Sequence, residues 1–157
     1  MNAYFLRHGI AEEQSSSGRD FDRVLTREGV QRMECEAKTI AKLDLRLDLI
    51  VTSPLLRAKQ TAHIVAAELK IANRLVEDAR AGGSFDTDAF AAMMRERADT
   101  GAILFVGHEP GMSTVIGGLT GASVDFKKGS LACVKLTGPH SLRGSLVWLL
   151  PAKFLAL

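Results

Sequence analysis

Short apolar runs alternate with amphipathic stretches along almost the whole chain. Residues 3–7 form the first run, 47–52 the second, with Leu49-Ile50-Val51 at its centre, and 102–106 the third. Short runs whose centres are apolar on both faces read as strands covered on both sides. Residues 130–136 and 145–150 flank a turn around Gly138-Pro139-His140-Ser141 and predict a hairpin. Between the strands the apolar period lengthens. Val30, Met33, Ala37, Ile40 and Ala41 predict a helix from Arg27 to about Lys42, with Thr26 as its N-cap. Ser53 as N-cap and Pro54 as first helical residue predict a second helix to about Leu69, burying Leu55, Ala58, Ala62, Val65, Ala66 and Leu69. A third helix is expected over Asp86–Ala98, and a fourth from Pro110-Gly111 to about Leu119, closed by Gly117-Gly118 and Gly121. Residues 12–22, with Ser15-Ser16-Ser17-Gly18, read as a surface loop, and residues 74–85, broken by Gly82-Gly83, as irregular.

Strands alternating with helices, then a hairpin, predict an α/β fold: a three-layer α/β/α sandwich with a mainly parallel, mixed central sheet. No repeat, linker or shift of composition divides the chain, so 1–157 reads as a single domain.

Composition adds exclusions. Hydrophobic residues make up 46% and charged residues 24%, with a net charge of +2 and one Trp and one Tyr. A net charge that small does not argue for nucleic acid or an anionic membrane surface, and few aromatic residues are present to stack on bases. Cys35 and Cys133 share no short spacing and read as reduced thiols. Neither a signal-peptide pattern nor a run long enough to cross a bilayer is visible, and a cytoplasmic monomer is the expectation.

In open α/β sheets, ligands bind beyond the carboxyl ends of the strands. Three such ends carry chemistry here: Arg7-His8-Gly9, Ser53 to Arg57, and Gly107-His108-Glu109-Pro110. Guanidinium forks match the oxygens of a phosphoryl group, and a helix N-terminus adds backbone donors. The expected ligand is therefore a phosphate. No carboxylates cluster at the strand ends with ligand spacing, so neither a metal nor another cofactor is expected. His8 is the candidate nucleophile, with its proton held on the non-attacking nitrogen by a backbone carbonyl. Gly9 is expected to let ligand and backbone approach closely. Arg7 and Arg57 would clamp the phosphoryl group, and His108 would donate to one of its oxygens. A cation in the first turn of a helix, as Arg57 is, opposes the helix dipole, which favours a ligand role for it.

The chain resembles the histidine phosphatase superfamily and, within it, the short SixA-type phosphohistidine phosphatases. The resemblance rests on Leu6-Arg7-His8-Gly9, on Ser53-Pro54-Leu55-Leu56-Arg57-Ala58-Lys59-Gln60-Thr61-Ala62, on Val106-Gly107-His108-Glu109-Pro110, and on Asp22-Arg23-x-Leu25-Thr26-x-x-Gly29. It implies a phosphoglycerate-mutase-like fold, a catalytic His8, a phosphate pocket of Arg7, Arg57 and His108, and no metal. Larger members of the superfamily carry an acidic residue as general acid between the second and third main helices. Here that segment offers Glu77, Asp78 and Asp86, none in a clear motif, with Glu77 and Asp78 the candidates. The imidazole of phosphohistidine leaves readily without a strong acid, whereas an alcohol does not. Phosphohistidine on a phosphotransfer protein is accordingly the first expectation for substrate. A small phosphate ester, hydrolysed by a phosphomonoesterase of the same superfamily, is the alternative. A catalytically silent phosphate-binding module is the third possibility, and the paired histidines argue against it.

Arg23, Ser53 and Glu109 are further candidates for substrate contact. Each has a plainer reading: Arg23 as a tie for the loop, Ser53 as an N-cap, and Glu109 as an acid favoured at a helix start. Ser113, His63 and His140 read as solvated, and so does the pair Lys127 and Lys128, unless it lends a basic edge to the substrate entrance.

Overall fold

A computed structural model describes residues 1–138 and 140–157. Its sheet contains β1 (Asn2–Arg7), β2 (Leu49–Thr52), β3 (Leu75–Glu77), β4 (Ala102–Gly107), β5 (Leu131–Leu136) and β6 (Gly144–Leu150). The order across the sheet is β3-β2-β4-β1-β5-β6. The strands β3, β2, β4 and β1 run parallel, and β5 is antiparallel to both β1 and β6. The mixed, mainly parallel sheet is as expected. The hairpin forms too, although Pro139 of its turn lies outside the described residues.

Five helices, α1 (Arg27–Lys42), α2 (Leu56–Glu68), α3 (Thr87–Arg95), α4 (Gly111–Thr120) and α5 (Ala152–Leu155), cover the sheet. Side chains alternate through the strands and so divide the core in two. Ala3 and Phe5 of β1, with Ile103 and Phe105 of β4, pack against α3 and α4. Tyr4, Leu6, Leu104 and Val106 pack on the other face against α1, α2 and α5. The rings of Phe5, Phe90 and Phe105 lie 5.3–5.9 Å apart, within the range of favourable aromatic contacts.

The Thr26 hydroxyl caps α1 by accepting from the Gly29 N–H at 2.9 Å. Gly121 ends α4 in the left-handed region, at φ 73°. Two helices differ from expectation. α2 begins at Leu56, so Ser53 is not its N-cap and Pro54 is not its first residue. The fully buried Ser53 side chain is turned toward His108 instead. α3 is shorter than expected and ends at Arg95; its N-cap is Asp86, which accepts from the Ala89 N–H at 2.8 Å. β3 and α5 were not foreseen. β3 is a three-residue edge strand paired with β2, and its exposed positions leave no apolar run to see.

Candidate active site

Among the described residues, eight polar or charged ones are buried: His8, Glu36, Thr52, Ser53, Arg57, Thr61, His108 and Ser130. All but Glu36 gather around the carboxyl ends of β1, β2 and β4, where His8, Ser53 and His108 follow the strands directly. Burying so many polar groups in one place is unfavourable unless each has a partner, and the partners define the geometry.

The His8 N–H donates to the Gly107 carbonyl at 3.0 Å and continues the ladder of β1 past its last residue. The imidazole places Nδ1 2.7 Å from its neighbour's Gly9 carbonyl. A carbonyl only accepts, so Nδ1 carries the proton and Nε2 presents a lone pair. Arg57 Nε donates to that Nε2 at 3.3 Å. The His8 pKa is pushed down to about 3. Burial is the largest cause; the Gly9 carbonyl opposes it, while His108, Arg57 and Arg7 reinforce it.

Gly9 is fixed from two sides. Its N–H donates to Thr61 Oγ1 at 3.1 Å, and that hydroxyl donates to the Arg57 carbonyl at 2.8 Å. A Cβ on Gly9 would lie 2.7 Å from Met33 Cγ. The missing side chain thus serves the close packing of α1 beneath the loop, where the sequence suggested room for a ligand.

His108 sits across from His8, with ring centroids 5.1 Å apart. Its Nε2 is 2.8 Å from Ser53 Oγ. Ser53 Oγ also accepts from the Leu55 N–H at 3.2 Å, and its second lone pair and its own O–H equip it either to accept from or to donate to His108. The other ring nitrogen of His108, Nδ1, is buried with no partner among the described residues. Burial first, and then Arg57, push the His108 pKa down to about 4, with Asp20 opposing.

Arg7 donates from Nη1 to the Phe126 carbonyl at 2.9 Å, and its buried Nε has no partner among the described residues. The Arg57 fork reaches the Asp20 carbonyl at 2.9 Å and the Asp20 carboxylate at 3.1 Å. Arg7, His8, Arg57, His108 and Ser53 therefore share one end of the sheet. Asp20 joins them from the loop before α1 and was not foreseen.

The other candidates divide. Arg23 binds Asp20 Oδ1 at 2.8 Å and the Glu12 carbonyl at 3.0 Å, and so ties the loop down. Glu109 accepts from the Ser113 N–H at 2.9 Å and from its hydroxyl at 2.7 Å, across the first turn of α4. Glu77 is half exposed and bridges to Lys59 at 2.7 Å. Asp78 is held below the usual carboxylate range by its hydrogen bonds to Arg80, with Arg97 also at 3.2 Å. An anion held in this way is a poor proton donor, so the structure gives neither Glu77 nor Asp78 the setting of a general acid.

Fold and site together define a class: an α/β enzyme with a histidine and arginine pocket at the carboxyl rim of a mainly parallel sheet. The chain belongs to the histidine phosphatase superfamily, whose branch 1 matches residues 3–81. An uncharacterised protein of Picosynechococcus sp. is 36% identical over 138 residues, which cover 83% of this chain and 82% of that one. The protein histidine phosphatase SixA complexed with tungstate superposes with a TM-score of 0.89 at 21% identity, over 99% of both chains. A SixA of Agrobacterium tumefaciens, named as a phosphohistidine phosphatase, has a TM-score of 0.80 at 23% identity, over 96% of this chain and 97% of that one. The fold is thus the phosphoglycerate-mutase-like fold of SixA, and a phosphatase is the activity class that the family supports.

Proposed function

We propose that the protein is a metal-independent phosphatase that removes phosphate from phosphohistidine on a protein, through a phosphohistidine formed on His8. The observation that carries this reading is the pinned tautomer of His8: Nδ1–H on the Gly9 carbonyl and an unprotonated Nε2 that accepts from Arg57 Nε. That lone pair attacks phosphorus, and the bond from phosphorus to the leaving imidazole breaks. Water supplies the proton that the departing imidazole needs. A second water then attacks the phosphorus on His8, inorganic phosphate leaves, and the free imidazole returns. Arg7 and Arg57 neutralise the charge that builds on the phosphoryl oxygens, and His108 donates to one of them. The tungstate held by the related SixA is a tetrahedral oxyanion, the kind of group such a clamp would take.

The substrate class follows from the leaving group. Glu77 faces Lys59 and Asp78 is kept ionised, so an alkoxide would leave this site slowly while an imidazole would not. To test the reading, a phosphohistidine-bearing phosphotransfer protein and a panel of small phosphate esters are incubated with the enzyme, with and without chelator. We expect chelator-resistant hydrolysis of the phosphohistidine protein and slow turnover of esters. Rapid quenching should trap an acid-labile phosphoryl group on His8, and His8→Ala should abolish both the trapped species and turnover. Arg57→Ala should lower kcat by about 100-fold or more, as loss of a charge-stabilising donor does elsewhere. A strong preference for one sugar phosphate would reassign the enzyme as a phosphomonoesterase, and loss of activity with chelator would remove the metal-free mechanism.

A further inference from the structure

A broad pocket of about 580 Å³ adjoins the candidate site and shares Arg7 with it. Arg7, Arg32, Lys127, Lys128 and Lys153 line it, and Asp125 is the carboxylate among the lining residues. The whole chain carries only +2, so this concentration of cations is local. Internal pairing does little to neutralise it. Lys127 and Asp125 meet at 3.4 Å with both side chains more than three-quarters exposed, and Arg32 reaches Glu28 only at 3.7 Å. Lys128 and Lys153 have no ion pair among the described residues.

Two buried polar atoms beside this pocket have no partner among the described residues: Ser130 Oγ, on a residue 1% exposed, and Arg7 Nε. The exposed cations around them are what an anionic partner would meet. Glu36 lies behind the pocket, against Gly129. Burial pushes its carboxyl up to about 8, so at neutral pH it does not cancel the cations. The volume exceeds what one phosphate fills. Most of the charge sits on exposed, flexible lysines, which attract an extended partner better than they grip one small ion.

We propose that this pocket receives an acidic segment of the protein that carries the phosphohistidine. Its carboxylates dock against Arg32, Lys127, Lys128 and Lys153 while the phosphoryl group reaches Arg7, Arg57 and His8. This rests on the phosphohistidine reading above. It makes Arg7 the link between partner recognition and chemistry.

The test is the triple variant Lys127→Glu, Lys128→Glu, Lys153→Glu, all three exposed and none part of the catalytic group. Three substrates are compared: an acidic histidine phosphotransfer protein phosphorylated with phosphoramidate, free phosphohistidine, and a small ester with a second acid group. We expect kcat/KM on the protein to fall by about tenfold or more, chiefly through KM. The wild type's loss of activity with added salt should flatten in the variant. Turnover of free phosphohistidine should not change. Equal activity of variant and wild type on the protein overturns the inference and leaves the functional reading intact. An equal loss on both substrates overturns it as well, since that marks a structural role. A loss confined to a small ester with a second acid group, such as 3-phosphoglycerate, assigns the pocket to that group and overturns protein docking. A wild type that ignores phosphohistidine in both forms overturns the functional reading, and the inference with it.

Discussion

His8 is neutral because of where it sits. Burial and the neighbouring cations bring its pKa to about 3 against an ordinary 6.5. As the proposed nucleophile, an imidazole with that pKa needs no base to prepare it at physiological pH. With free phosphohistidine as substrate and substrate ionisation accounted for, log kcat/KM should therefore show no break from the enzyme between about pH 5 and 8. A break near pH 6.5 would mean an ordinary imidazole and would count against this account. The Ser53 hydroxyl holds the His108 imidazole through Nε2. Ser53→Ala removes that partner, and should lower kcat by roughly 3–10-fold, the worth of one ordinary hydrogen bond. His8, Arg57 and His108 were legible in the sequence because each lies at or just beyond the end of an apolar run. Ser53 was misread because a Ser-Pro pair after a strand carries the same signal whether the hydroxyl caps a helix or holds an imidazole. Asp20 left no signal, since its contact with Arg57 spans 37 residues and depends on the path of a polar loop.

That loop is the element that closes on the site. After β1 the chain runs out through Ser15–Gly18, makes a short 3-10 turn at Asp20–Asp22, and returns to the cap of α1. Asp20 bridges Arg57 and Arg23, so the loop lays a carboxylate on the guanidinium that would hold the phosphoryl group. Phosphate must displace this carboxylate or share the fork with it. Asp20→Asn removes the competing charge while keeping a polar side chain. Its inhibition constant for inorganic phosphate should fall several-fold, measured by competition against turnover. Its stability should change by less than about 1 kcal/mol, because the Asp20 side chain is 64% exposed. An unchanged inhibition constant would mean that the loop moves away at no expense when phosphate binds. The limits of α1 were readable because cap, apolar period and packing agree there. β3 was not, because a short edge strand takes its identity from pairing with β2 and leaves little imprint on local pattern.

At the scale of the molecule, the order β3-β2-β4-β1-β5-β6 places β4 beside β1 and so brings residues 8 and 108 together. That adjacency turns two separate apolar runs into one site, and the alternation of strands and helices made it foreseeable. The same burial links stability to pH through three groups. His8 and His108 titrate near 3 and 4 in the folded chain, against 6.5 ordinarily. Between those values the unfolded chain binds the protons and the folded chain does not, so stability falls as pH drops below 6.5. Glu36 has the opposite sign. Its folded pKa is about 8 against 4.5, so the folded chain keeps a proton that the unfolded chain has lost, and stability falls as pH rises from 4.5 to 8. Each group contributes a slope of roughly 1.4 kcal/mol per pH unit within its window. From pH 4.5 to 6.5 two rising histidine slopes outweigh one falling slope, and above 6.5 only the fall remains. Denaturant unfolding across pH should therefore show maximum stability near pH 6.5. Glu36→Gln, which is neutral at every pH, should abolish the decline from 6.5 to 8 and leave the acid side of the maximum in place. A decline that survives in this variant would assign it to another group.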